Sequence, residues 1–270
     1  MARLRRRDHR GGLGLRPAAR ALLARFRGLA RADHRTRASI ERLGDGAPAL
    51  ERHLIRNFRK YAHRERPGPS LWDWLSLAQH HGLPTRLLDW TFSPLVAAHF
   101  ATATWPGHDA MVWAVDCVQA HHRLPRELRD PLEAEGAMVF TTELLAEHAP
   151  TLEALDALGE DRSPFVLFFE PPSFDDRIVN QSAVLSVTSG VSGLERWLHE
   201  HTGLTHAWRI TADAKREIRE RLDRVNVNER VLMPGLDGLA AWLRRYYTPL
   251  QGHDPSGAEA DGDREPSVRG

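Results

Sequence analysis

Residues 79–101 read QHHGLPTRLLDWTFSPLVAAHFA, with polar side chains set among apolar ones more densely than a plain core or a plain loop needs. Gln79, His80, Thr85, Arg86, Asp89 and Thr91 bring together amide, imidazole, hydroxyl, guanidinium and carboxylate groups. That set of groups can bind and orient a polar ligand. Each such group costs about 1–3 kcal/mol if it is buried without a partner. A segment that keeps so many either builds a rigid internal network or lines a site.

Other chemistries are poorly served. GGLGLRP near the start has neither a preceding strand nor a lysine, so it fails as a phosphate loop or dinucleotide fingerprint. The pairs His80-His81, His121-His122 and His199/His201 do not form an HExxH arrangement, and adjacent histidines on a strand point to opposite faces. No metal is expected. A GxSxG elbow is missing, and Ser93 is better used as a helix cap. The single cysteine, Cys117, excludes an intramolecular disulfide and fits a reducing compartment. It reads as a small buried residue.

Local signals place the polar segment on definite elements. Ser70 with Asp73 three residues on opens a helix as a capping pair, and Trp72, Leu75 and Ala78 recur at helical spacing. Gly82 suits the left-handed position past the helix end, and Pro84 prevents a restart. Residues 85–91 (TRLLDWT) read as a short strand. Ser93 and Pro94 start a second helix whose Ala97, Ala98, Ala101 and Ala103 permit close backbone packing. Polar side chains then gather at two turns and on one strand face.

The chain here resembles the FRG domain family. That pattern begins with a Phe-Arg-Gly strand, matched by Phe26-Arg27-Gly28, and continues through RTRASIER to Arg42 and LERHLIRNF with Phe58. A motif close to QHYGLPTRLLDWT-x-SP-x-x-A-x-x-FA follows, nearly intact here, with His81 in place of the usual Tyr. Leu29 stands where Gln often follows the glycine. RIVNQSAVLSV (177–187) and VLMPGLDGLAAWL (231–243) resemble the family's late strand and closing helix, with Met233 where Phe is common. The resemblance spans roughly residues 20–248.

The order of elements is also similar to that of an ADP-ribosyltransferase-like fold, an analogy that does not establish function. By it, Arg27 lies on the first strand and would bind the pyrophosphate of NAD, since a planar guanidinium matches phosphate oxygens. Asp89 and Thr91 would hydrogen-bond the nicotinamide amide or the ribose, and His80 would orient a ribose hydroxyl. Gln181 would lie where a late-strand Glu is expected, so the negative charge that favours an oxocarbenium-like centre is missing there. Arg27, His80, Asp89 and Gln181 are thus the candidate catalytic set. Arg27, Gln79, His80, Thr85, Arg86, Asp89 and Thr91 are the candidate nucleotide-binding set, with NAD as substrate.

Three readings follow. The first is an NAD-using ADP-ribosyltransferase-like enzyme, of toxin or phage-defence type, with a nucleic-acid or protein acceptor; it requires Arg27, His80, Asp89 and Gln181 in one cleft. The second is a nucleotide or nucleic-acid binding module without turnover. The third is an interaction domain in which Arg27 and Arg86 pair with Asp89 and Glu51 as an internal network.

The rest of the chain frames this segment. A length of 270 residues suffices for one sizeable core. Its 37 basic and 36 acidic residues nearly cancel, so no global field argues for nucleic acid or membrane. No apolar run approaches a membrane span, and a cytoplasmic location is expected. Residues 1–17 read as a mobile Arg-rich arm, 18–248 as the FRG domain and 249–270 as a disordered tail. An amphipathic helix is expected over 48–63, and strands over 111–115, 165–169, 182–187 and 207–210. Thr211 is expected to cap a helix that turns Ala214, Ile218 and Leu222 inward. Residues 143–162 read as an exposed helical insertion broken at Pro150. Strands and helices alternate without a regular βαβ period. The fold class is therefore α+β, one domain with a small mixed or antiparallel sheet flanked by helices.

Overall fold

The Phe-Arg-Gly tripeptide lies on β1 (Ala24–Leu29), near the middle of a six-stranded sheet. A computed structural model describes residues 24–29, 36–44, 46–159, 164–191 and 193–248. The expected arm and tail lie outside the described residues. The other strands are β2 (Leu88–Thr91), β3 (Ala110–Asp116), β4 (Val166–Phe169), β5 (Ala183–Thr188) and β6 (Thr205–Ile210). Their order is β4-β5-β2-β1-β3-β6, and every neighbouring pair is antiparallel. The class is α+β, as expected.

The helices form where the caps said they would. Ser70 and Asp73 exchange side-chain to backbone hydrogen bonds at the start of the helix Leu71–His80, at 2.9 and 3.0 Å. Ser93 Oγ accepts from Val96 N at the start of the helix Pro94–Thr102, with Pro94 in its first turn. In chain order the helices that matter here are α1 (Ala47–Tyr61), α2 (Leu71–His80), α3 (Pro94–Thr102), α4 (Cys117–His121), α5 (Arg126–Glu135), α6 (Thr142–His148), α7 (Leu152–Ala157), α8 (Asp176–Asn180), α9 (Leu194–Glu200), α10 (Ala212–Arg224), α11 (Glu229–Leu232) and α12 (Leu236–Tyr247).

Strand register divides the core. Phe26 pairs with Thr91, Thr91 with Ala183 and Asp89 with Leu185, so these residues share one sheet face with Gly28. That face is covered in two pieces. At the β4–β5 end, Leu167, Phe169, Leu185 and Val187 pack against Ile55, Trp72, Leu75, Leu145 and Leu155 from α1, α2, α6 and α7. At the other end, Phe26, Val112 and Ala114 pack against Ala97 and Ala101 of α3. The opposite face carries Trp90, Val115, Phe168 and Val184 under Trp197 and Leu198 of α9.

Gly28 permits the second of these contacts. A Cβ there would lie 2.0 Å from the Ala97 carbonyl oxygen and 2.7 Å from the Ala101 nitrogen. The small residues of α3 and the missing side chain on β1 together let helix and strand backbones touch.

Three expectations need correction. Strand β2 begins at Leu88, and Thr85 to Leu87 form the approach to it. Residues 142–157 do break at Pro150, but they are no exposed insertion: Leu145, Ala149, Leu152 and Leu155 are buried, and Trp72 Nε1 donates to the Ala149 carbonyl at 2.8 Å. Finally, α10 buries Lys215, Arg219 and Leu222, while Ala214 and Ile218 are only partly covered. Thr211 stands at its N-cap without a side-chain capping bond.

Candidate functional site

A cleft of about 420 Å³ opens where the two coverings of the sheet face leave β2 and β5 bare. Its floor is Asp89, Thr91, Ala183 and Leu185. Ser76, Gln79 and His80 of α2 form one wall, and Val96, Ala97 and Phe100 of α3 form another. Arg177 and Ile178 of α8, with Pro171 and Gln181, close a third side. The volume lies in the range of small-ligand sites.

The carboxylate on the floor is set by a short relay. Thr85 Oγ1 accepts from Leu87 N at 3.1 Å and donates to Gln79 Oε1 at 2.6 Å. With its oxygen so engaged, the Gln79 amide turns its NH2 outward, and Nε2 donates to Asp89 Oδ2 at 3.1 Å. Thr85 is fully buried, so it shapes the site from behind the wall. The Asp89 side chain is exposed.

Arg27 reaches the cleft in an unexpected way. Alternation pairs it with Trp113, on the sheet face opposite Asp89 and Thr91. β1 and β2 share a single register pair, and beyond it Arg27 Nη1 donates to the Asp89 main-chain oxygen at 2.6 Å. Burial lowers the Arg27 pKa, the Asp89 carboxylate opposes that shift, and Arg42 adds to it. Among the described residues, Arg27 Nε, Arg177 Nε and Ser76 Oγ are buried without a hydrogen-bond partner, and all three residues line the cleft. Orphaned buried donors are rare in finished structures and mark places where a partner belongs.

His80 Nε2 lies 2.9 Å from Asp175 Oδ2, and its ring meets Phe174 edge-on at 5.6 Å. Asp175 also accepts from Arg177 N at 2.6 Å as the N-cap of α8. Burial pushes the Asp175 carboxyl up, but the Arg177 backbone N–H and His80 outweigh it and hold the pKa below the usual carboxylate value.

Arg27, His80, Asp89 and Gln181, the candidate catalytic set, all line this cleft, as do Gln79 and Thr91. Two qualifications matter. Gln181 is not on a late strand but caps the end of α8, and its Nε2 donates to the Leu232 carbonyl at 2.9 Å. Thr91 Oγ1 is spent on the Gln181 carbonyl at 2.7 Å.

Arg86 is absent from the cleft. Its Nε donates to Glu51 Oε2 at 2.7 Å and its Nη1 to Asp156 Oδ1 at 2.6 Å, with 2% of the side chain exposed. Burial disfavours its charge, but Glu51 and Asp156 more than compensate and raise its pKa. The internal network foreseen for Arg86 and Glu51 is therefore real, whereas Arg27 meets the Asp89 backbone.

Sequence reasoning missed Ser76, Asp175 and Arg177. Ser76 was within reach, since it stands three and four residues before Gln79 and His80 on the same helix face. Asp175 and Arg177 carry no local mark beyond a capping pattern, and only the tertiary fold brings them to His80.

The described residues define an α+β protein with an open cleft, lined in part by polar side chains, on one face of an antiparallel sheet. Residues 23–110 match the family model of the FRG domain, so the chain carries an FRG domain over this span. The match includes Phe26-Arg27-Gly28 and all of residues 79–101, and stops short of the two later segments that also resemble the family. No curated protein and no solved structure matches the chain. Among the described residues, no helix is long and apolar enough to cross a membrane.

Proposed function

We propose that the cleft binds NAD and that the protein is an ADP-ribosyltransferase-like enzyme acting on the nicotinamide–ribose bond. One observation carries the reading: two arginines with unpartnered Nε–H groups, Arg27 and Arg177, line the same cleft as the exposed Asp89 carboxylate. Guanidinium groups suit a pyrophosphate. A carboxylate suits the positive charge that builds on the sugar as the bond to nicotinamide breaks.

In this reading Asp89 takes the part that the neutral Gln181 cannot. Gln79 fixes the Asp89 carboxylate, and Asp175 fixes the imidazole of His80 for a ribose hydroxyl or for the attacking nucleophile. With water as acceptor, the electron pair of the C–N bond leaves with nicotinamide, the water oxygen bonds to the ribose carbon, and its proton is released. Consumption of NAD would suit a toxin or phage-defence effector.

One observation favours a second reading, nucleotide binding without turnover. Gln181 turns its amide to Leu232 and offers no charge. Calorimetric titration with NAD, followed by mass spectrometry for nicotinamide, separates the two. Binding with release supports the enzyme, and binding without release supports the sensor. No heat at millimolar NAD would sink the dinucleotide reading and leave the cleft to some other ligand. Arg27→Ala should abolish binding with little change in melting temperature.

A further inference from the structure

We propose that the outer face of α1 is a binding surface for single-stranded nucleic acid, independent of the NAD reading of the cleft. The chain is nearly neutral overall, yet residues 52–66 hold six Arg or Lys against the one carboxylate of Glu65. Arg52, Arg56, Arg59 and Lys60 fall within an arc of about 100° on the helix, and Arg52, Arg56 and Lys60 recur at about 6 Å along its axis. All four are exposed, while Glu51 and Ile55, on the flank of this arc, are buried. Arg64 and Arg66 extend the exposed positive surface past the helix end.

A solvated charged face normally carries both signs at helical spacing, as α10 does with Arg216–Glu220 and Arg221–Glu217. The α1 face does not. Arg52 alone meets a carboxylate, Glu153 at 3.1 Å. Among the described residues, Arg56, Arg59, Lys60, Arg64 and Arg66 have no acidic partner within ion-pair distance. Like charges held this close repel one another, and a polyanion relieves that repulsion.

The aromatic groups favour a single strand over an acidic peptide. Arg59 lies over the Trp74 ring at 5.4 Å, and the two line a surface groove with His63, Glu65 and Arg66. Tyr61 is 74% exposed, with Lys60 Nζ 5.3 Å from its ring centre. Planar guanidinium and aromatic groups beside a row of cations provide stacking surfaces for bases and charges for phosphates.

The test is fluorescence anisotropy of the full chain with short labelled single-stranded RNA and DNA, between about 50 and 200 mM salt. We expect salt-dependent binding to one or both strands. The triple variant Arg56→Ala/Arg59→Ala/Lys60→Ala should weaken it at least about tenfold and flatten the log–log salt slope by about 2, at roughly 0.7 per phosphate contact. Its melting temperature should not change, since all three side chains are exposed. RNA and DNA arms tell which strand is preferred. Absent binding would overturn the proposal. So would a triple variant that binds like the parent, which would assign the affinity to another basic segment. Equal capture of a polyglutamate peptide would overturn it too, by assigning the face to acidic proteins. Because Arg27→Ala leaves this face intact, loss of NAD binding in that variant cannot be mistaken for failure here.

Discussion

Arg86 and Glu51 are joined twice: Arg86 Nε donates to Glu51 Oε2 at 2.7 Å, and the Arg86 backbone N–H donates to Glu51 Oε1 at 2.8 Å. The pair ties α1 to the approach of β2, and Asp156 of α7 completes it while also accepting from Gly190 N. Four separate chain segments are thus tied together. Removing Glu51 leaves the buried Arg86 guanidinium with only the partly exposed Asp156, and losing one member of a buried pair costs up to about 3–5 kcal/mol. Glu51→Ala should therefore lower the urea midpoint sharply and leave NAD affinity per folded molecule intact. A variant that keeps its midpoint but loses ligand would place Arg86 in the site after all.

Gly28→Ala tests the contact between β1 and α3. The added methyl would sit 2.0 Å from the Ala97 carbonyl oxygen, which is backbone and cannot rotate away. Overpacking of this kind costs about 1–3 kcal/mol or more. Because Val96, Ala97 and Phe100 line the cleft, the shift of α3 should weaken ligand binding as well. Denaturation and titration should move together. Unchanged stability would mean that α3 yields freely and that the glycine answers some other need.

The contrast between these two positions shows what the sequence could reveal. Caps, strands and the close-packed Ala helix follow from local rules, so Ser70, Ser93 and Ala97 were readable. So was the gathering of Gln79, His80 and Asp89, because helix and strand periodicity aims them alike. Whether an arginine serves ligand or fold depends on a distant partner. Arg86 in residues 79–101 and Arg27 in the Phe-Arg-Gly strand look equivalent in sequence, and Glu51 and Asp156 decide between them. The inward face of α10 misled for the same reason. Apolar periodicity assumes a greasy interior, but Lys215 Nζ donates to the carbonyls of Thr104 and Trp105, and Arg219 meets His99 and Glu229. Buried cations paired across the fold leave no apolar trace in the sequence.

That buried cluster predicts an acid sensitivity. Burial, reinforced by the Arg219 guanidinium 3.0 Å from Nδ1, lowers the His99 pKa to about 4. The unfolded chain protonates this histidine near 6.5 and the folded chain does not, so stability falls as pH drops from 6.5 toward 4. The loss is about 3 kcal/mol at most. Burial pushes the Glu229 carboxyl up, yet Arg245 and Arg219 hold it at about 2, which adds a second loss from 4.5 downward. Urea midpoints across this range should slope down toward acid, and His99→Leu should flatten the part above pH 4.5. An unchanged slope would exclude His99 as its source.

Asp175→Asn separates the role of Asp175 at His80 from its role as a cap. Asparagine caps helices as well as aspartate does, so α8 should keep its N-terminus and the melting temperature should hardly move. What changes is the group facing His80 Nε2 at 2.9 Å, from a carboxylate to a neutral amide. In the parent protein the Asp175 pKa is depressed, so the carboxylate stays charged at neutral pH and is lost only as pH falls through its folded value, below the ordinary 3.8. A carboxylate beside an imidazole fixes its orientation. If the proposed reaction runs in this cleft, the loss of that orienting carboxylate should slow nicotinamide release about tenfold at neutral pH. NAD affinity should change less than the rate, because the proposed reading gives the phosphates to Arg27 and Arg177. Equal losses in melting temperature and rate would reduce the pair to a structural tie between α2 and α8.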